Sequence, residues 1–435
     1  MQIFVNLFFN GSIFMVYMTS ILNRKKAPSI DIKAIDFPLV QVQDNFHYIK
    51  GATQEYTFLQ LVFDAGKISS QKKLIADCCC DMLLSGTSTK TAFELNELLD
   101  YYGASIEPIV GDDDLTIRIY CLNKQLENIL PVIHEILTDS IFPKEEADLI
   151  LTKWKQRQLI QFKKTDYVAN RKFRNILFGD AHPYGSLIVQ KDFDLVQLED
   201  IKNFYQTFIQ HKACKIILTG KVDDAHTCKI QATFSNQLTP VPELKNFSIH
   251  TVSTGVYKET MPDTVQSSIR IGKLVCGMHH EDYMGLYMLT SILGGYFSSR
   301  LMLNIREDKG YTYGIYATIY AKKLASIFEI SAEVNQEHQL DAIDEIKKEI
   351  NRLIDEEIPQ EELEKVKNYV LGQMMRSIDG PIKTGKIYKT LLIQNLNFNF
   401  SKAFEQKLKL MNSTDLQKLA QKYLNLDSMY LISVG

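Results

Sequence analysis

Two aspartates and three cysteines form the densest cluster of reactive side chains in the sequence. They lie in the run ADCCCDM at residues 76–82, inside an apolar pattern that predicts a helix over residues 74–84. Successive helical residues project about 100° apart, so the three thiols cannot converge on one ion and are interpreted as buried side chains. Asp77 and Asp81 share a face that suits a hard cation, but without further oxygen ligands they are interpreted as two solvated acids.

Other residues that could support hydrolysis lack their partners. His134 begins like a zinc-protease motif, but the position four residues later holds Thr138, so no ligand pair forms. Ser298, Ser299 or a cysteine could act as a nucleophile only beside a histidine base, and none is positioned by spacing. A self-sufficient serine or cysteine hydrolase is therefore the least supported class.

Composition bounds the class of protein. The 435 residues exceed one ordinary domain, and 45% hydrophobic with 23% charged residues is typical of a soluble globular chain. There are 49 basic and 52 acidic residues without a basic block, so nucleic acid is excluded as a partner. Seven cysteines, three of them adjacent, do not form a disulfide framework.

Residues 1–24 are apolar but interrupted by polar residues, with no basic residue before Arg24. The stretch is too broken for a membrane span and lacks the basic start of an export signal. It is predicted to lie outside the fold, with Met18 as the alternative start. No membrane partner is predicted, and the expected compartment is the cytoplasm, with the periplasm as the alternative.

The order of predicted elements occurs twice along the chain. The first half reads strand 57–65, helix 74–84, helix 92–102, strand 115–121 and helix 126–137. The second half reads strand 267–275, helix 283–293, helix 299–308, strands 313–320 and 327–334, and helix 340–354. In both, a proline followed by paired acids then opens another helix, at Pro143 and Pro359. The chain is therefore predicted to be a tandem of two similar units.

The predicted fold class is α+β, with two homologous tandem domains that each pack helices against an antiparallel β-sheet. The first domain is assigned to residues 25–236 and the second to 256–435. Residues 237–255 contain prolines and small polar residues without a sustained period, so they are predicted to be the linker.

The run LGGYFSSRLMLNIREDKGYTYG at residues 293–314 resembles the second-half signature of the insulinase, pitrilysin and mitochondrial processing peptidase family. Shorter pieces resemble the same family in the same order, LSGT at 84–87 and HPYG at 182–185. The resemblance covers nearly the whole chain from about residue 25. It implies a two-domain peptidase fold and peptides as substrates.

The zinc motif of that family, His-x-x-Glu-His, falls on the helix with the three cysteines. Aligned on that helix, the two histidine positions are Asp77 and Asp81, and the glutamate position is Cys80. The third ligand position falls near Gln158. The resemblance therefore implies a degenerate zinc motif, with no metal bound by this chain.

The family also uses an arginine and a tyrosine, seven residues apart, to bind the substrate carbonyl and the oxyanion opposite the zinc. Arg306 and Tyr313 match those positions, and a permanently charged guanidinium and a phenol both suit a developing negative charge. Gly294, Gly295 and Ser298 would lie in a substrate-facing loop.

The leading hypothesis is a heterodimer in which a homologous subunit carries zinc, water and general base. This chain would contribute Arg306, Tyr313 and part of a chamber for unfolded peptides. The alternative is a structural or peptide-binding scaffold of the same fold without catalysis.

Overall fold

The computed structural model describes residues 34–235, 239–243, 247–249 and 252–435. The predicted extension, 1–24, lies outside these residues, and the predicted linker, 237–255, lies partly outside them. The α+β prediction is confirmed, since the described chain contains two β-sheets, each packed with helices. No helix in these ranges is long and apolar enough to cross a bilayer.

The first sheet has six strands in the order β1-β2-β6-β3-β5-β4. They are β1 Val40–Gln43, β2 Phe46–Ile49, β3 Tyr56–Phe63, β4 Ser105–Val110, β5 Leu115–Leu122 and β6 Lys215–Gly220. The helices of this half are α1 Ile75–Met82, α2 Ala92–Tyr101, α3 Leu126–Asp139, α4 Lys144–Gln161, α5 Thr165–Phe178, α6 Leu198–Phe208 and α7 Asp224–Ser235.

The second sheet has five strands in the order β7-β11-β8-β10-β9. They are β7 Gly255–Glu259, β8 Gln266–Val275, β9 Thr312–Ala321, β10 Ser326–Asn335 and β11 Tyr430–Val434. Its helices are α8 Tyr283–Gly294, a π-helix Met302–Asp308, α9 Gln339–Asp355, α10 Gln360–Ser377, α11 Pro381–Ile393, α12 Phe398–Leu410 and α13 Ser413–Tyr423.

The two sheets have the same internal plan, as the predicted tandem requires. In each, an antiparallel run of four strands ends in one parallel pair, β2 with β6 and β7 with β11. Local chemistry fixes the element ends: Thr91 and Glu94 form a capping box that begins α2, and Gly103 ends it in the left-handed region at φ 58°. The predicted helix 299–308 differs, because most of it is a π-helix.

In each half of the chain, one helix packs against the β-sheet of the other half. Helix α5 of the first half packs on β8 and β11 of the second sheet, and α11 of the second half packs on β6 and β3 of the first. In the latter contact, Gln60 Nε2 donates to the carbonyl of Gly385 at 2.8 Å, and the Tyr388 hydroxyl lies 3.0 Å from His47 Nδ1. This reciprocal packing of helices on sheets joins the two halves through buried contacts.

The tips of two equivalent hairpins also meet. The turn between β4 and β5 carries Asp112 and Asp113, and the turn between β9 and β10 carries Lys322 and Lys323. Lys322 pairs with Asp112, and the Lys323 N–H donates to Asp113 at 3.0 Å. These contacts, an ion pair and a backbone hydrogen bond, link the two halves and fix the sheets relative to each other.

The approach of α5 to the second sheet depends on Gly272 in β8. A Cβ at this position would lie 2.0 Å from the carbonyl oxygen of Phe328 and 2.9 Å from the ring of Phe173 in α5. We expect Gly272→Ala to lower the free energy of unfolding by about 1–3 kcal/mol, because strand or helix must move.

The matched control is Gly372→Ala in α10, where an added Cβ meets nothing within 4 Å. We expect that change to stabilise the chain by about 0.5–1 kcal/mol, because alanine is the better helix former. Urea unfolding of both variants is the measurement. Equal effects at the two glycines would contradict the close-packing explanation.

Candidate functional site

Helix α1 carries the degenerate zinc-motif positions, and its side chains are already engaged. Asp77 Oδ1 lies 2.7 Å from Lys67 Nζ. Burial raises the pKa of the Cys80 thiol to about 12, with Asp81 and Asp77 adding to the effect and the backbone of Val110 acting against it. Cys80 therefore stays protonated at neutral pH and is a poor base, nucleophile or metal ligand.

The neighbouring acid is Asp81. Burial raises its pKa and Asp77 raises it further, while Arg157 and Trp154 of α4 act in the opposite direction. Gln158, at the third ligand position, is buried, and its Nε2 donates to the carbonyl of Ile188 at 3.0 Å. Within the part of α4 that lies against α1, Trp154 and Arg157 rather than Gln158 face Asp81.

These donors do not fit zinc. One carboxylate is paired with Lys67, the thiol at the glutamate position is protonated, and the Gln158 amide serves packing. Zinc sites in proteins need three or four histidine, thiolate or carboxylate ligands that converge on the ion. Across the described residues, no group of three or more His, Cys, Asp or Glu side chains is placed to hold a metal.

The second candidate group lies on the π-helix, whose wide turn is visible in the bond from the Lys309 N–H to the Asn304 carbonyl, five residues back. The segment is anchored through its polar face: Asn304 Nδ2 donates to Glu345 at 3.1 Å and to Glu349 at 2.8 Å, both on α9. Such π-turns are frequent at functional sites.

Arg306 is partly exposed on this segment. Its guanidinium carbon is 4.5 Å from the ring centroid of Phe297, which is 62% exposed, and its nearest carboxylate is that of the adjacent Glu307 at 3.4 Å. Stacking on an aromatic face holds the guanidinium plane while leaving its edge donors available.

Tyr313 follows after the turn at Gly310, whose φ of 68° permits the reversal. The N–H of Tyr311 donates to the carbonyl of Ile305 at 3.0 Å, so the chain returns to the π-helix before β9 begins. The Tyr313 side chain is 93% exposed, and Tyr313 is the second residue of β9. Arg306 and Tyr313 thus belong to one compact unit of π-helix, turn and strand.

The predicted substrate loop divides into two parts. Gly294 is the last residue of α8, and a Cβ there would lie 2.5 Å from the Ala317 nitrogen in β9, so it is needed for helix-to-sheet packing. Gly295 is exposed and ends the helix, and Ser298 is partly exposed. Substrate contacts by these three residues stay a prediction.

Sequence reasoning missed two contributors to this region. Phe297, whose ring packs against the Arg306 guanidinium, belongs to no motif with a defined spacing, although it lies inside the family-like run at residues 293–314. The exposed series Tyr313, Tyr316 and Tyr320 on β9 departs from the period of two of a regular strand, because β9 is bulged between Thr312 and Ile315, so no alternating pattern in the sequence indicated it.

Residues 196–370 match the family model described as "Peptidase M16 inactive domain". The chain is 22% identical to a Helicobacter pylori protein named "Non-peptidase homolog YmxG" over 322 residues, 72% of this chain and 74% of that protein. A peptidase M16 inactive domain from Pseudomonas fluorescens superposes with a TM-score of 0.83 at 20% identity, over 92% of this chain and 98% of that one.

A further similarity bears on architecture. The periplasmic protease PqqL from Escherichia coli superposes with a TM-score of 0.76 at 12% identity, over 98% of this chain and 50% of that protein. This chain therefore has the fold of half of a longer peptidase. At these identities the solved structures establish the fold and not the activity.

Proposed function

Because this chain belongs to the insulinase-type, or M16, peptidase family, in its form without the zinc motif, we propose that it is the substrate-binding subunit of a two-chain zinc peptidase. The observation that carries the proposal is Tyr313. An aromatic side chain that is 93% exposed contributes nothing to the core, and it follows by seven residues an arginine whose guanidinium pairs with the adjacent Glu307.

The free edge of β9 supports a role in peptide binding. Within the described chain β9 pairs only with β10. At the start of the strand the N–H groups of Gly314 and Ile315 donate to Thr312 Oγ1 and Met302 Sδ, so the edge offers backbone groups to a peptide over the remainder, Tyr316 to Ala321, which contains no proline. An extended peptide can add to such an edge as a further strand, and main-chain bonds make the binding tolerant of sequence. Tyr316 and Tyr320 offer apolar contact to its side chains. Unfolded peptides are therefore the proposed substrates.

Each of the two residues has a distinct role. Arg306 places a permanent positive charge at the peptide carbonyl, and Tyr313 donates one directed hydrogen bond to the same oxygen as it becomes negative. Both interactions strengthen as charge develops, so they favour the transition state over the bound peptide. Zinc, the attacking water and the general base are assigned to the homologous partner subunit.

The test is reconstitution. This chain and an M16 homologue with an intact His-x-x-Glu-His motif from the same organism are purified separately, then assayed with a quenched fluorescent peptide. Neither chain alone should cleave, because each lacks half of the site, and an equimolar mixture should cleave. Loss of that activity on zinc chelation, with recovery on zinc addition, would assign the metal to the partner.

Two outcomes would count against the proposal. Cleavage by this chain alone would mean that it holds a complete site. A stable complex without cleavage of any peptide would favour the scaffold function.

The cytoplasm is the proposed compartment. The periplasm is the alternative, since the similar PqqL of Escherichia coli is described as periplasmic.

A further inference from the structure

A cavity of about 350 Å³ lies between the end of α1, strand β4 and helix α4. It occupies the place of the degenerate zinc motif and is unused by the proposed function. We propose that this cavity binds the free carboxyl terminus of a peptide whose last side chain is apolar.

The floor of the cavity suits an apolar side chain. It is formed by Leu84, Pro108, Ile150 and Trp154, which are partly exposed to the cavity, with the protonated Cys80 thiol beside them. A volume of this size is at the lower end for binding sites and accommodates one large side chain with its terminal group. Burial of one such side chain supplies hydrophobic free energy.

The rim supplies charge complementarity. Lys153 and Arg157 lie four residues apart on one face of α4, above the floor. In the described structure neither forms an ion pair, whereas Lys155 of the same helix pairs with Asp194. Asp81 offsets one of the two positive charges, so the rim has a net positive charge.

The adjacent sheet edge favours a chain end over a passing chain. Pro108, inside the edge strand β4, has no N–H to offer an added strand. A continuous peptide that pairs with β4 therefore lacks a main-chain donor in the middle of the strand, unlike at β9. A terminal carboxylate needs none, because Arg157 and Lys153 can bind it through charge-assisted hydrogen bonds.

Trp154 is the only tryptophan in the chain, so intrinsic fluorescence reports on this cavity directly. The full chain is titrated with N-acetyl-Ala-Ala-Leu bearing a free carboxylate, and with the same peptide as its terminal amide. The acid should change the emission saturably. The amide should bind at least about tenfold more weakly, because it lacks the charge that Arg157 and Lys153 recognise.

The variants are Arg157→Gln and Lys153→Gln, each of which should weaken binding of the acid by about tenfold. Lys155→Gln is the matched control: it removes one positive charge from the same helix, from a side chain paired elsewhere, and should leave binding unchanged. Circular dichroism checks that each variant is folded.

Equal affinity for acid and amide would overturn the proposal, as would a folded chain with no saturable signal in fluorescence or calorimetry. Neither result touches the reconstitution assay, which depends on Arg306 and Tyr313.

Discussion

Replacing Arg306 by alanine is expected to lower the kcat of the reconstituted pair by about a hundred- to a thousandfold. The guanidinium is partly exposed, stacks on Phe297 and meets only its neighbour Glu307, so its removal leaves no buried unpaired charge and the fold should survive. Because the charge acts mainly on the developing oxyanion, the loss should fall on kcat more than on KM. Steady-state cleavage of the quenched peptide, with thermal unfolding of the variant, measures both.

The substitution Tyr313→Phe tests the contribution of the hydroxyl group separately from that of the aromatic ring. It keeps the aromatic surface and removes one hydrogen-bond donor, so a loss of kcat of about a hundredfold is expected. Tyr101→Phe is the control, since Tyr101 is 79% exposed at the end of α2 in the other half of the chain. Arg376→Ala removes an exposed arginine from α10 in the same way. If Arg306→Ala retained full activity, or if the controls lost as much, the assigned roles would be wrong.

The tandem architecture was predictable because the signals that define it are local. Apolar periodicity marked α3 and α9, and proline with paired acids marked the starts of α4 and α10, within two residues of their observed bounds. The parallel pairs β2 with β6 and β7 with β11 were not predictable in this way. They join segments far apart in the chain, and no short-range pattern records which strands become neighbours.

The geometry of the candidate site was less accessible for a physical reason. Motif spacing assigns a function to a residue number. Which side chains of a helix face its neighbour is set by the rotation of about 100° per residue. In α4 the Gln158 side chain points toward Ile188, whereas Trp154 and Arg157 line the cavity. Similarly, the π-helix depends on Asn304 meeting two carboxylates of α9, a tertiary contact that the helical pattern of residues 299–308 does not contain.

Glu362 takes part both in a local interaction that the sequence indicates and in a tertiary contact that it does not. Its position after Pro359 indicates a helix start, where a carboxylate favours the positive end of the dipole, and α10 does begin there. In the folded chain the same carboxylate forms a bidentate pair with Arg300, with Nε to Oε1 at 2.9 Å and a terminal nitrogen to Oε2 at 2.8 Å. Arg300 is 7% exposed and lies two residues before the π-helix, so this pair fixes the entry to the segment that carries Arg306.

Glu362→Gln is accordingly expected to lower the free energy of unfolding by about 3 kcal/mol, because it leaves a buried guanidinium without a counter-charge while changing little in shape. Glu356→Gln is the matched control: Glu356 meets Arg352 at 3.6 Å in an exposed pair, and its loss should cost less than about 1 kcal/mol. Urea unfolding gives both values, and amide hydrogen exchange over residues 302–311 should quicken only in Glu362→Gln, since that pair precedes the π-helix. Equal destabilisation by the two changes, or unaltered exchange in the π-helix, would mean that the buried pair does not hold the segment on which Arg306 depends.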